Sequence, residues 1–132
     1  MSTSPLEITP EHKAARSAGS IAFADQGPSN STILLFASTD GTGTPLVTIK
    51  LAKPCGTVVA GSVVFAQDDP AGDMILISGA ALSGLWVNGA GVVMGRGMVT
   101  DEAGDGHFKV RGTTGTMLYA GASAQLGVTA VG

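Results

Sequence analysis

Charged residues are scarce in this chain. Asp, Glu, Lys and Arg together make up 13% of its 132 residues, whereas about 25% is usual for a soluble domain. Hydrophobic residues make up 44% and glycine contributes 20 residues, so we expect part of the outer surface to be covered by other subunits. The seven Lys and Arg are scattered from Lys13 to Arg111 and the net charge is −3. The chain therefore lacks the basic stripe that nucleic-acid binding requires.

Cysteine is nearly absent and long apolar runs are missing. Cys55 is the single cysteine, so no intrachain disulfide can form, and we expect synthesis in a reducing cytoplasm with Cys55 as a buried packing residue. Apolar runs such as 74–77 are far shorter than the roughly 20 residues of a membrane helix. The first twenty residues lack the apolar core of a secretory signal. We therefore expect neither a membrane association nor a cleaved leader.

The N-terminal part of the chain predicts a flexible arm followed by one short helix. Residues 1–8 form the arm, and Thr9-Pro10-Glu11 supplies an N-cap residue, a proline at the first helical position and an acid in the first turn. A turn rich in Gly and Pro over 25–30 ends the helix. The predicted apolar side of the helix consists of Ala14, Ala15, Ala18, Ile21 and Ala22.

From residue 31 the pattern changes to short runs rich in Val, Ile and Thr between glycine-bearing turns. Apolar and polar residues alternate along 45–51, with the period of two of a half-buried strand. Ala60-Gly61 predicts a hairpin, 74–78 predicts a strand, and Asn88-Gly89 predicts a two-residue turn before a return strand over 92–100. About eight short strands predict an all-β fold, a jelly-roll or Ig-like β-sandwich over 31–132, with the arm and helix over 1–30.

No group of residues indicates catalysis or cofactor binding. The two imidazoles, His12 and His107, lie outside any recognisable catalytic motif, and Cys55 lacks the sequence context of a nucleophile elbow. The acidic loops lack the spaced ligands and terminal glutamate of the helix-loop-helix calcium motif. We therefore expect no enzymatic activity, no cofactor and no metal. The acidic residues of the two loops are Asp68, Asp69 and Asp73, and Asp101, Glu102 and Asp105.

Four apolar residues are the candidates for contacts between subunits. Trp86 and Tyr119 are the single Trp and the single Tyr, and isolated large aromatics on strands commonly serve as core or interface anchors. Leu6 and Ile8 are apolar residues on an otherwise polar arm. Such an arm gains little by folding on its own domain, and it can become ordered by burying its apolar residues on a neighbouring subunit.

The order of these segments resembles a group of small Gly/Ala/Thr-rich β structural proteins encoded by tailed bacteriophages and prophages. An Ala-rich helix precedes TILLFASTDGTGTPLVTIKLAKPCGTVVAGSVVFA (32–66), which contains an L-x-T-I-x-L strand at 46–51. A Trp-bearing strand then turns at VNGAGVVMGRGMVTDEAGDG (87–106), where Asn-Gly-Ala-Gly replaces the D-G turn of the group. The resemblance covers residues 10–131.

The resemblance implies a virion structural protein made in the host cytoplasm. The implied type is a head decoration or minor capsid protein that stabilises the shell as an oligomer. Its partners would be other copies of itself, with a homotrimer preferred, and the major capsid protein or another virion protein.

Two other functions remain open from the sequence. A carbohydrate-binding β module on a phage tail or a bacterial surface protein would stack Trp86 or Tyr119 on a sugar. A small hydrolase would need His107 beside Asp101 or Asp105 with a nucleophile in the same pocket. The burial of Trp86 distinguishes the structural function from the carbohydrate-binding one.

Overall fold

The computed structural model describes residues 9–111, 115–127 and 129–131, and in these ranges it contains one helix and eleven strands. The predicted all-β fold with a single short N-terminal helix is confirmed. The strands are more numerous than the expected eight, because several of them contain only two residues. The elements are α1 (Pro10–Ala24), β1 (Thr32–Phe36), β2 (Val47–Val59), β3 (Ser62–Gln67), β4 (Asp73–Met74), β5 (Gly79–Ala80), β6 (Ser83–Val87), β7 (Val93–Asp101), β8 (Phe108–Arg111), β9 (Met117–Leu118), β10 (Ser123–Leu126) and β11 (Ala130–Val131).

Nine of these strands form one sheet in the order β11-β3-β2-β1-β6-β7-β8-β10-β4, and β5 pairs separately with β9. The sheet curls until β4, at one end, lies beside β2 near the other end. A carboxylate oxygen of Asp73 accepts a hydrogen bond from the Lys50 amide at 3.2 Å. The two halves of the curled sheet enclose the core between them. Its most deeply buried side chains include Ile33, Leu35, Ile49, Leu51, Val63 and Val110.

The helix has the predicted ends but not the predicted buried side. The Thr9 hydroxyl accepts a hydrogen bond from the His12 amide at 3.2 Å, Pro10 follows at the start, and the helix ends at Ala24. Ser17 and Ala24 are buried and Ile21 packs against the core as predicted, whereas Ala15, Ala18 and Ala22 are exposed, so the predicted apolar side is wrong for these three alanines. Alanines differ little from one another in apolar area, and the Ser17 hydroxyl determines the orientation by donating to the Gly61 carbonyl at 2.5 Å.

This contact places α1 on the β2–β3 hairpin and brings Ala24 into the core of the β domain. The helix therefore packs on the sheet, although the sequence analysis assigned the helix to the segment 1–30 and the sheet to the segment 31–132. Among the described residues, no helix is long and apolar enough to cross a membrane.

The hairpin predicted at Ala60-Gly61 is confirmed. Val59 pairs with Ser62, and both turn residues have positive φ, 50° for Ala60 and 82° for Gly61. β2 joins two runs that the sequence had separated, and its register against β3 shifts between Leu51 and Gly56. Thus β2 can pair with β1 through its first part and with β3 through its last part.

The predicted two-residue turn at Asn88-Gly89 is wrong. Val87 pairs with Val93, so a five-residue loop over 88–92 connects β6 and β7. The Asn88 side-chain oxygen organises this loop by accepting hydrogen bonds from the amides of Ala90 at 3.0 Å and Val92 at 2.8 Å. Gly89 attaches the loop to the end of α1, because its amide donates a hydrogen bond to the Ala24 carbonyl at 3.0 Å.

The predicted strand over 74–78 is also shorter than expected. β4 ends at Met74 and the chain is irregular over 75–78 before β5 begins at Gly79. In this segment the Leu76 amide donates to the Leu46 carbonyl at 2.9 Å, and the Ile75 amide donates to the Ala122 carbonyl at 2.8 Å. The backbone of 75–78 thus forms hydrogen bonds to two different segments. The aliphatic composition of this stretch had instead predicted regular pairing with one neighbouring strand.

We predict that Gly89→Ala lowers the free energy of unfolding by about 1–3 kcal/mol, because overpacking a tight contact costs this much. A Cβ at residue 89 would overlap the carbonyl oxygens of Ser29 and Gln26, which are backbone atoms and cannot rotate away. Chemical denaturation measures the change. Gly95→Ala is the matched control, since a Cβ at Gly95 meets no atom within 4 Å; equal stability of the two variants would contradict the prediction.

Candidate subunit interface

An uncharged surface forms where the segment 74–82 lies against the segment 116–122. The Ile75 amide donates to the Ala122 carbonyl at 2.8 Å, the Gly121 amide donates to the Ile75 carbonyl at 2.9 Å, and β5 pairs with β9 farther along. The sequence contains no Asp, Glu, Lys or Arg over 74–95 or after Arg111. Both segments therefore contribute a surface without charges of their own.

The side chains of these two segments divide between the core and the outside. Ile75, Ala81 and Leu118 are buried, whereas 67% of Leu76 and 63% of Tyr119 are exposed. Contiguous exposed apolar surface is typical of interaction sites. We call the exposed large hydrophobic side chains of these two segments the apolar face, and they are Met74, Leu76, Ile77, Leu82, Met117 and Tyr119.

A cavity of about 440 Å³ adjoins the apolar face. Met117 and Tyr119 line it together with Ile75, Val110 and polar groups of Arg111 and Gln125. The Arg111 Nε atom lies 4.0 Å from a carboxylate oxygen of Glu102, and both side chains are about half exposed. Such an exposed pair contributes little stability, so the guanidinium remains available at the mouth of the cavity.

The structure separates the residues that the sequence singled out for contacts. Trp86 is 8% exposed and packs edge-on against Phe65, with ring centroids 4.8 Å apart and an interplanar angle of 78°. Tyr119 lies in the apolar face, and the two aromatics line different cavities. Leu6 and Ile8 lie outside the described residues.

The sequence reasoning missed the other members of the apolar face. A signal was present, because residues 74–95 form an uninterrupted stretch without charge. Composition alone does not tell which of its residues face outward. Met74, Leu76 and Ile77 became identifiable once the irregular path over 75–78 and the partner segment were known.

Cys55 is fully buried, as the sequence predicted. Its amide donates to a carboxylate oxygen of Asp25 at 3.1 Å, which links β2 to the end of α1. Burial and, secondarily, the Asp25 charge raise the pKa of the thiol from 9.0 to about 11. A thiol in this environment stays protonated near neutral pH, and the thiolate is the nucleophilic form.

The carboxylates of the two acidic loops hold backbone and side-chain donors of the protein. Asp73 accepts from the Gln67 amide group at 2.8 Å, and Asp68 pairs with Lys50 at 3.5 Å. Asp101 accepts from the amides of Ala103 at 3.1 Å and Gly115 at 2.9 Å. No three His, Cys, Asp or Glu side chains of the described ranges converge as metal ligands.

The histidines lie on different elements. His12 is exposed in the first turn of α1, and His107 is exposed just before β8. His107 lines a cavity together with Arg96 and Trp86.

No protein-family model, curated protein or solved structure matches the chain.

We predict that raising the pH from 9 to 11 destabilises the wild-type protein more than it destabilises the Cys55→Ala variant. The raised pKa of Cys55 means that the folded state resists losing the thiol proton. Its contribution to stability is therefore complete below pH 9 and decreases as the pH rises toward 11. Denaturation midpoints of both proteins at pH 8, 9, 10 and 11 provide the measurement. Parallel pH profiles would show that Cys55 does not titrate as described.

We predict that EDTA and added calcium leave the melting temperature unchanged. Asp73 and Asp101 already accept hydrogen bonds from donors of this chain, so a cation would have to displace these contacts. Scanning calorimetry in EDTA and in millimolar calcium tests this. A rise of several degrees in calcium alone would contradict it.

Proposed function

We propose that the chain is a non-enzymatic structural protein of a bacteriophage virion. In this proposal it is a head decoration or minor capsid protein that binds and stabilises the capsid shell as an oligomer. The observation that supports this best is the apolar face, in which Leu76 and Tyr119 are about two-thirds exposed. A single copy in water would leave this uncharged surface uncovered, and contact with a neighbouring subunit removes it from water.

The composition supports assembly as well. The 13% content of charged residues leaves the outside of the domain poor in groups that keep proteins apart. Residues 74–95 and 112–132 lack Asp, Glu, Lys and Arg altogether, so the charges are concentrated on other parts of the chain. An uneven distribution of this kind is expected for a subunit with one covered side.

The homotrimer and the capsid partner derive from the resemblance to phage structural proteins. Clamps on capsids often act as trimers at threefold positions, and closed symmetry buries the same patch on every copy. The host cytoplasm is then the place of synthesis, and the virion is the place of action.

A carbohydrate-binding module is the second candidate. The exposed Tyr119 ring beside Arg111 and Gln125, at a cavity of about 440 Å³, favours it. Stacking on a sugar requires an open aromatic face, and Trp86 lacks one because 92% of it is buried by the rest of the chain. One exposed tyrosine at this cavity gives this function less support than the apolar face gives assembly.

We predict that Leu76→Asp weakens self-association by roughly 10- to 100-fold. Burial of one aliphatic side chain contributes about 1.5–3 kcal/mol, and each 1.4 kcal/mol changes a dissociation constant about tenfold. Sedimentation equilibrium over a concentration series measures the effect. Val59→Asp is the matched control, because Val59 is 54% exposed but lies at the β2–β3 hairpin, outside the apolar face. A wild-type chain that stays monomeric at tens of micromolar would refute the assembly proposal.

The virion location is tested on purified particles of the phage or lysogen that encodes the chain. Immunogold labelling and mass spectrometry should find many copies of the chain on heads. Particles of full infectivity and head stability without the chain would refute the proposal. If the wild-type chain binds a glycan on an array and the Tyr119→Ala variant does not, the carbohydrate-binding function would be favoured instead.

A further inference from the structure

A groove runs between α1 and β7, with Trp86 at its base. Two adjoining cavities of about 480 Å³ and about 250 Å³ compose it, and both contain Ser20 and Trp86. Phe23 and Val93 stand on opposite walls and are 40% and 48% exposed. We call this the helix groove, and its further lining includes Arg16, Gly19, Met94, Gly95, Arg96 and His107.

Two glycines keep the helix groove open without a reason inside this chain. Gly19 lies within α1 and Gly95 within β7, and a Cβ added to either would meet no atom within 4 Å. Neither glycine has a positive φ. Glycine inside a helix costs about 1 kcal/mol relative to alanine, so residue 19 leaves open space in the groove at a cost to the helix.

The strand at this groove has an unpaired edge. β7 pairs with β6 from Val93 to Met98, but its other edge pairs with β8 only from Val99 onward. Within the described ranges, no strand pairs with that other edge over 93–98. Free amide and carbonyl groups on such an edge can bind an extended segment as an added strand.

The polar groups of the helix groove favour an acidic, apolar segment. Neither Arg16 nor Arg96 forms a salt bridge with a described residue, although Arg96 donates from Nη1 to the Asp40 carbonyl at 3.4 Å. The Trp86 indole nitrogen is buried and lacks a hydrogen-bond partner within the described chain. Exposed Phe23 and Val93 add apolar surface to the cavity that Arg16 lines.

We propose that the helix groove binds residues 1–8 of a second copy of this chain. Leu6 and Ile8 are two residues apart, so in an extended strand they point to the same side, toward Phe23 and Trp86. Glu7 between them brings a carboxylate near Arg16, which forms no salt bridge with a described residue. The proposal rests on self-association, which is part of the proposed function, and it specifies the segment that one copy gives to another.

Within its own chain the arm is too short to bring Leu6 and Ile8 to Gly19 and Phe23. Thr9 caps α1, and Gly19 and Phe23 lie about 15 and 21 Å farther along the helix axis, at 1.5 Å per residue. The Cα atom of Ile8 lies about 3.8 Å from that of Thr9, and Leu6 reaches at most about 11 Å from it. A neighbouring copy has no such restriction.

Disulfide trapping between full-length chains tests the proposal. Chains with Ile8→Cys and chains with Val93→Cys, distinguished by a mass tag, are mixed and oxidised with glutathione disulfide. Native Cys55 gives little background because it is fully buried. We expect the mixed disulfide to form at least about tenfold faster than with Val59→Cys, because docking raises the effective concentration of the two thiols.

A groove-filling variant supplies the decisive comparison. Gly19→Leu added to the Val93→Cys chain should abolish the fast trapping, whereas Gly19→Ala should retain it. Both substitutions favour the helix, so melting curves should show that neither unfolds the domain. Equal trapping at residues 93 and 59, or trapping insensitive to Gly19→Leu, would overturn the proposal.

Two further outcomes are distinguishable. A chain with both Ile8→Cys and Val93→Cys that closes an internal disulfide at a rate independent of concentration would show docking within one copy, and would overturn the proposal. If the chain is oligomeric in sedimentation but shows no fast trapping, the exchange of the arm between copies would be refuted and the proposed function would stand. If the chain is monomeric, both the arm exchange and the proposed function would be refuted.

Discussion

The contact of Trp86 with Phe65 is the interaction on which the rest of the fold depends. Phe65 lies on β3 and Trp86 on β6, and β2 and β1 separate these strands in the sheet. Their rings meet edge-on at 4.8 Å, and Phe108 from β8 lies 6.4 Å from Phe65 at an interplanar angle of 22°. Such contacts require a sheet that curls over its own inner side. The core therefore forms between parts of a single sheet.

This construction explains why part of the outside stays apolar. A curled sheet covers its inner side chains, and α1 covers the end near the β2–β3 hairpin through Ser17 and Ala24. No described element covers the outer side of segments 74–82 and 116–122. Because these segments carry no charge, covering them by another subunit involves little desolvation of ionised groups. The apolar face is thus suited to association at low energetic cost.

The polar groups of the chain mainly organise its loops. Asp25 connects the end of α1 to β2, Asn88 shapes the loop before β7, and Asp101 holds the loop before β8. Carboxylates with such donors are already satisfied. This use of polar groups agrees with the proposed structural function. The helix groove differs, because Arg16 and Arg96 form no salt bridge with a described residue and the Trp86 nitrogen has no hydrogen-bond partner among them.

Several features followed from the sequence alone because they depend on neighbours along the chain. The Thr9-Pro10 start of α1, the Ala60-Gly61 hairpin and the all-β class are of this kind, since capping, turn geometry and alternation act over a few residues. The burial of Cys55 followed from the packing preference of a lone cysteine, which behaves as a small apolar residue.

Contacts between distant residues decided the remaining features. The Ser17 bond to Gly61 selected the buried side of α1 against the alanine pattern, and the approach of Gly89 to Ala24 replaced a two-residue turn with a longer loop. The apolar face required the pairing of segments about forty residues apart. Local sequence signals differ by a few tenths of a kcal/mol between alternatives, whereas burial of a side chain or a tight backbone contact is worth more than 1 kcal/mol. Tertiary packing therefore determined which surfaces this protein leaves open.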